Sequence, residues 1–86
     1  MDITKLDEGL DKLTGLDFEA AEKNARSLGD TTPVIQLSSK FQTELAATAL
    51  DVNPNEIKAL PLKKFNQILS KVQNFLYDFS DETEIA

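Results

Sequence analysis

The sequence predicts an all-α fold: a small single-domain helical bundle of three main helices plus a short helix. The first observation is periodicity. At about 100° per residue, the apolar side chains between Leu62 and Phe79, except Tyr77, lie on an arc of roughly 140°. The second is that residues typical of helix starts and ends divide the chain at short intervals. With 86 residues, the chain forms one domain.

Residues 1–13 form a lead segment whose structure the sequence leaves open. Ile3, Leu6, Leu10 and Leu13 follow spacings of three and four, which favours a short amphipathic helix. Gly9 weakens that prediction because glycine is a poor helix former, and a short extended segment remains an alternative.

The first main helix is predicted over residues 17–28. Asp17 is a suitable N-cap, and Gly29 provides the left-handed residue that often ends a helix. Its apolar stripe contains two small residues, so a neighbouring helix can approach closely. The stripe consists of Phe18, Ala21, Ala25 and Leu28.

The second main helix is predicted over residues 33–50. Thr32 can cap it, and Pro33 suits the first helical position, where its missing N–H costs nothing. Apolar residues at helical spacing are expected to bury together, with Phe41 as the largest. These residues are Val34, Leu37, Phe41, Leu45 and Ala49.

A short helix over residues 54–59 and a final helix over residues 61–79 complete the bundle. Asn53, Pro54 and Glu56 match a capping residue, a first-position proline and a third-position glutamate. Pro61 disfavours helical geometry at the residue before it, so the chain is expected to turn there. Residues 80–86 are predicted to be a frayed acidic tail.

The final helix has an apolar stripe wide enough both to pack in the core and to leave apolar surface for a partner. Its central line, Phe65, Leu69, Val72 and Leu76, is predicted to face Phe41, Leu37 and Leu45 in the core. One flank extends beyond that line, and the small residues of the first helix are not expected to cover it. The flank is therefore the candidate partner-binding surface, formed by Ile68, Phe75 and Phe79.

Composition argues against an enzyme. The chain has no cysteine and no histidine, which excludes thiolate and imidazole metal sites and the usual nucleophile–base pairs. The carboxylates lack the spacing of a calcium loop, and the three glycines are too far apart to bind a phosphate. We therefore predict no catalytic residues, no metal and no cofactor.

Charge and hydropathy also limit the classes of partner that the chain is expected to bind. The net charge of −6 argues against nucleic acid, because phosphate binding needs a basic surface. Lys63, Lys64 and Lys71 lie on the polar face of the final helix, where a solvated surface is the usual role. No apolar run is long enough to span a membrane, so no membrane partner is expected.

Several short motifs, taken in order, match one protein family. They begin with Leu13-Thr14-Gly15-Leu16-Asp17 and continue through Ala20-Ala21-Glu22, Ala25-Arg26, Gly29-Asp30 and Thr32-Pro33-Val34. The second half adds the alanine-rich stretch from Leu45 to Ala49, Val52-Asn53, Ile57 before Ala59-Leu60-Pro61, Phe65-Asn66 and Val72-Gln73-Asn74-Phe75-Leu76. In this order and spacing, the chain resembles the tail assembly chaperones of long-tailed phages and prophages, including Mu-like phages.

The resemblance implies a function without catalysis. Members of that family bind the tape measure protein, a long and largely helical chain, and keep it soluble until the tail tube assembles. The expected location is the host bacterial cytoplasm, with no copy in the mature virion. Further partners implied by the family are a longer form of the chaperone made by ribosomal frameshifting and the tail tube protein. Residues 1–9 depart from the family, whose members often begin with a more strand-like segment.

Two other functions remain alternatives. A helix, a turn and a second helix have the outline of a small DNA-binding regulator, although no single helix carries the basic residues expected of one. An acidic inhibitor or antitoxin-like protein could use its negative surface to mimic nucleic acid.

Overall fold

The computed structural model describes the backbone of residues 3–85 and the side chains of residues 3–77. Within that part the chain forms α-helices and 3₁₀ helices and contains no strand, so the predicted all-α single domain is confirmed. The α-helices are α1 (Leu6–Asp11), α2 (Gly15–Ser27), α3 (Ser39–Leu50), α4 (Pro54–Lys58) and α5 (Leu62–Ile85). The 3₁₀ helices are Ile3–Lys5 and Ile35–Leu37.

Helix α3 is the centre of the bundle, because α1, α2, α4 and α5 all pack against it. Its alanines allow these close contacts, and Phe41 is fully buried. The buried cluster takes residues from every α-helix: Leu6, Leu10, Ala21, Ala25, Ile35, Phe41, Leu45, Ala46, Ala47, Ile57, Ile68 and Val72.

The lead segment is helical, which resolves the alternative left open by the sequence. Leu6 and Leu10 of α1 are fully buried, and α1 packs against both α3 and α5. Gly9 weakens α1 as an isolated helix but permits this packing, since a Cβ atom at Gly9 would overlap the backbone of Ala49.

Helix α2 begins earlier than predicted. Thr14, not Asp17, is the N-cap residue, and its carbonyl oxygen accepts the first helical hydrogen bond from the Phe18 N–H at 3.1 Å. Asp17 instead occupies the third helical position, where its carboxylate accepts from the Thr14 N–H at 2.9 Å. At the other end Gly29 has a φ of 95°, as its predicted role requires.

The second main helix was predicted to begin at residue 33, and this is wrong. Val34 is extended, Ile35–Leu37 form a 3₁₀ turn, and α3 begins at Ser39. Ser38 is the N-cap: its hydroxyl oxygen accepts from the Phe41 N–H at 3.2 Å. Val34 and Leu37 therefore leave the helical stripe and are exposed, although they were predicted to be core residues.

The capping prediction for the short helix is confirmed. The Asn53 N–H donates to the Glu56 carboxylate at 2.9 Å, and the Asn55 N–H donates to the Asn53 side chain at 2.9 Å.

Helix α5 begins at Leu62, not at Pro61, whose carbonyl oxygen accepts from the Phe65 N–H at 3.0 Å. It ends at Ile85, beyond the predicted boundary at residue 79, because no glycine or proline interrupts the sequence after Pro61. Most of the predicted tail therefore belongs to α5, although its side chains lie outside the described residues.

Candidate partner-binding surface

The structure describes the side chains of two of the three predicted contact residues, and these two differ in burial. Ile68 is fully buried, so its assignment to an exposed flank is wrong. Phe75 is half-buried and borders two surface grooves. The side chain of Phe79 lies outside the described residues.

Helix α1 packs against α5, and Ile68 belongs to the same buried cluster as Leu6 and Leu10 of α1. The Lys71 ammonium, one helical turn further along α5, lies 3.3 Å from the Asp7 carboxylate of α1. Of the predicted central line, Leu69 and Val72 are buried as expected. Phe65 and Leu76 are half-buried, and Leu76 lies at the surface where Phe75 does.

The central groove is a depression of about 460 Å³ between the start of α2, the 3₁₀ turn and the second half of α5. Its walls are largely apolar, and Glu19 is the charged residue among them. The lining residues are Leu13, Thr14, Gly15, Phe18, Glu19, Gln36, Leu45, Phe75 and Leu76.

The packing beneath α2 fixes one wall of the central groove. The Phe18 ring meets the buried Phe41 ring edge to face, with centroids 4.8 Å apart and an interplanar angle of 64°. Next to this wall, a Cβ atom at Gly15 would meet nothing within 4 Å, so the start of α2 leaves the groove open. Leu16, beside it in the chain, is 77% exposed.

A second depression, the acidic groove, lies on the other side of Phe75. It measures about 370 Å³ and is lined by Asp7, Leu10, Asp11, Lys71, Asn74 and Phe75. Phe75 thus forms a ridge between an apolar groove and one bordered by carboxylates.

A third depression, the Leu37 groove, adjoins the central groove at Gln36 and Leu76. It measures about 150 Å³ and contains no charged lining residue. Val34, Leu37 and Tyr77 are exposed large apolar side chains that line it. Its full lining is Val34, Gln36, Leu37, Gln73, Leu76 and Tyr77.

Partly buried hydrogen bonds hold the 3₁₀ turn that supplies Gln36 and Leu37. Gln42 is 1% exposed, and its amide donates to the Gln36 carbonyl oxygen at 2.7 Å. The Gln73 amide in turn donates to the Gln42 side-chain oxygen at 3.2 Å, which links the turn to α5. This satisfied polar network gives the turn a defined position between α3 and α5.

Asp30 anchors the loop that precedes the turn. Its carboxylate accepts from the Ser38 hydroxyl and, at 2.8 Å, from the Thr32 N–H. These hydrogen bonds stabilise the charged form and lower the pKa of Asp30 to about 2. Arg26 holds the same loop by donating to the Thr32 carbonyl oxygen at 2.6 Å.

Sequence reasoning missed the exposed role of Val34 and Leu37. The available signal was Ser38, an N-cap residue three positions before Phe41, which allows a helix start at Ser39.

Among the described residues no group of acidic side chains is placed to hold a metal ion. Within the same part of the chain, no helix is both long and apolar enough to cross a membrane.

Comparisons with models of known protein families, with characterised proteins and with solved structures give no match. The likeness to phage tail assembly chaperones therefore stays a prediction that depends on the sequence motifs.

Proposed function

We propose that this protein is a phage or prophage tail assembly chaperone that binds the tape measure protein and keeps it soluble until the tail tube assembles. The observation that carries the proposal is the apolar surface formed by the central groove and the Leu37 groove. The motifs that resemble the chaperone family supply the identity of the client.

The shape and chemistry of this surface suit an amphipathic helix. Helix-in-groove binding uses apolar anchors at spacings of three, four and seven residues, which insert between helices of the receptor. Leu37, at 62% exposed, and Tyr77, at 57%, lie beside the half-buried Leu76. Exposed apolar side chains grouped around a groove are typical of an interaction surface.

The acidic composition supports the same role. A chaperone that covers the apolar face of its client must keep the complex soluble, and a net charge of −6 on 86 residues favours this. Acting before tail assembly, the protein would work in the host cytoplasm by stoichiometric binding and be absent from the mature virion.

The test is co-expression with the tape measure protein of a phage genome that carries this chain. We expect the tape measure protein to shift from the insoluble to the soluble fraction and to co-purify with the chaperone. No gain in soluble tape measure protein would contradict the proposal, and capture of a nuclease in its place would favour the inhibitor alternative.

Matched variants locate the surface. Leu37→Lys and Leu62→Lys make the same chemical change at positions that are 62% and 71% exposed, so both proteins should fold. Leu62 lines none of the three grooves and lies about 20 Å along α5 from Phe75. We expect Leu37→Lys and Phe75→Glu to abolish the gain in solubility and Leu62→Lys to retain it. Phe79→Glu tests the remaining predicted contact.

A further inference from the structure

Three grooves follow one another across the second half of α5. Phe75 borders both the acidic groove and the central groove. Gln36 and Leu76 border both the central groove and the Leu37 groove. A helix that lies in the central groove therefore has one end near the acidic groove and the other near the Leu37 groove.

Charge changes along this path. Asp7, Asp11 and Lys71 border the acidic groove, and Glu19 lines the central groove. The Leu37 groove has no charged lining residue. The lining residues thus carry a net negative charge in the acidic and central grooves and no charge in the Leu37 groove.

The described side chains neutralise only part of this negative charge. Lys71 pairs with Asp7 at 3.3 Å, and Lys12 lies 3.5 Å from Glu8, one turn before it in α1. Asp11 and Glu19 form no ion pair among the described side chains. Two exposed carboxylates at the grooves are therefore available to a cationic partner.

From this arrangement we infer that the client segment is an amphipathic helix with Lys or Arg at one end of its apolar stripe. That basic end lies over Asp11 and Glu19, and the uncharged end lies in the Leu37 groove. The inference rests on the proposed function, because it specifies the chemistry and direction of the helix that the chaperone binds. Charge complementarity adds direction to an apolar contact that by itself permits either orientation.

The test uses the whole chain and two labelled peptides of about 18 residues, long enough to form a helix on binding. Both carry the same leucine stripe at spacings of three and four. One has lysines in a single terminal turn, and the other has glutamates at those positions. Fluorescence anisotropy at low ionic strength gives the two dissociation constants.

We expect the lysine peptide to bind about fivefold more tightly, as two exposed ion pairs would produce. Added salt should reduce the difference, because exposed charges are screened. The double variant Asp11→Asn with Glu19→Gln should remove the preference. A control with the same change in net charge, Glu8→Gln with Glu44→Gln, should keep it, since neither residue lines a groove.

The outcomes separate the inference from the proposed function. Equal affinity for the two peptides, or a preference lost equally in both double variants, overturns the inference and leaves apolar helix binding intact. Failure to bind either peptide contradicts the helix-binding function itself. Carbodiimide coupling gives an independent check: the peptide lysines should be joined to Asp11 or Glu19, and coupling only to other carboxylates overturns the assigned direction.

Discussion

Gly9 lies directly against the backbone of Ala49: a Cβ atom built at Gly9 would fall 2.1 Å from the Ala49 carbonyl oxygen. Helices α1 and α3 therefore touch through their main chains at this point. The contact keeps α1 within the bundle and brings Asp7 and Asp11 beside α5. The shape of the acidic groove thus depends on a close contact between α1 and α3, although no residue of α3 lines that groove.

Gly9→Ala should destabilise the protein by about 2 kcal/mol, because the added methyl group forces two backbones apart. Chemical denaturation measures this as a lower midpoint. Gly15→Ala is the matched control: its methyl group meets nothing within 4 Å, and the free energy of unfolding should change by no more than about 0.5 kcal/mol. Similar effects of the two substitutions would contradict the close contact.

Local signals explain most of what the sequence could predict. The α4 cap depends on residues within four positions of one another, from Asn53 to Glu56, so it was predicted correctly. At α2, Thr14 and Asp17 are both good N-cap residues. The sequence did not show that Thr14 would be the N-cap and that Asp17 would occupy the third helical position.

Contacts between distant segments explain what was missed. Thr32-Pro33 and Ser38 are both acceptable helix starts, and the contact from Ser38 back to Asp30 favours the later one. Ile68 was predicted to lie on an exposed flank because a helical wheel of one helix contains no information about the rest of the bundle. In the fold, Ile68 belongs to the same buried cluster as Leu6 and Leu10 of α1. The grooves combine residues from α1, α2, the 3₁₀ turn and α5, so they could not be assembled from one helix.

Ile68→Ala should cost about 3 kcal/mol, as expected when a fully buried aliphatic side chain leaves a cavity. Leu37→Ala should change the free energy of unfolding by less than about 0.5 kcal/mol, since most of that side chain is already in water. Thermal and urea unfolding of the two variants measure the contrast. A larger loss of stability from Leu37→Ala than from Ile68→Ala would instead support the core predicted from the sequence, in which Leu37 is buried.

Asp51 is the non-glycine residue with a left-handed backbone in the described part of the chain, with a φ of 56° at the end of α3. The Val52 N–H still closes the helix by donating to the Ala47 carbonyl oxygen at 3.0 Å. Asp51→Gly should therefore stabilise the protein by about 1 kcal/mol, because glycine adopts this conformation without a steric cost. Asp51→Ala keeps the strain and should give no such gain, and a higher melting temperature for both variants would argue against the backbone explanation.

The contact between Asp30 and Ser38 should make stability depend on acid pH. The pKa of Asp30 is lowered from 3.8 to about 2 in the folded protein, so the unfolded chain takes up a proton at higher pH than the folded one. The stabilisation is therefore complete above about pH 4 and is lost as the pH falls toward 2. We expect Asp30→Asn to lower the urea midpoint at neutral pH and to match the wild type near pH 2.

A double-mutant cycle with Ser38→Ala assigns this pH dependence to the hydrogen bond. At neutral pH the effects of Asp30→Asn and Ser38→Ala should be non-additive, because each removes the same bond. The coupling should vanish as the carboxylate is protonated, while the loss of the Phe41 cap in Ser38→Ala persists at every pH. Coupling that stays constant down to pH 2 would place the acid sensitivity elsewhere. The same bond fixes the start of α3 after the 3₁₀ turn, so Asp30→Asn should also weaken peptide binding in the Leu37 groove at neutral pH.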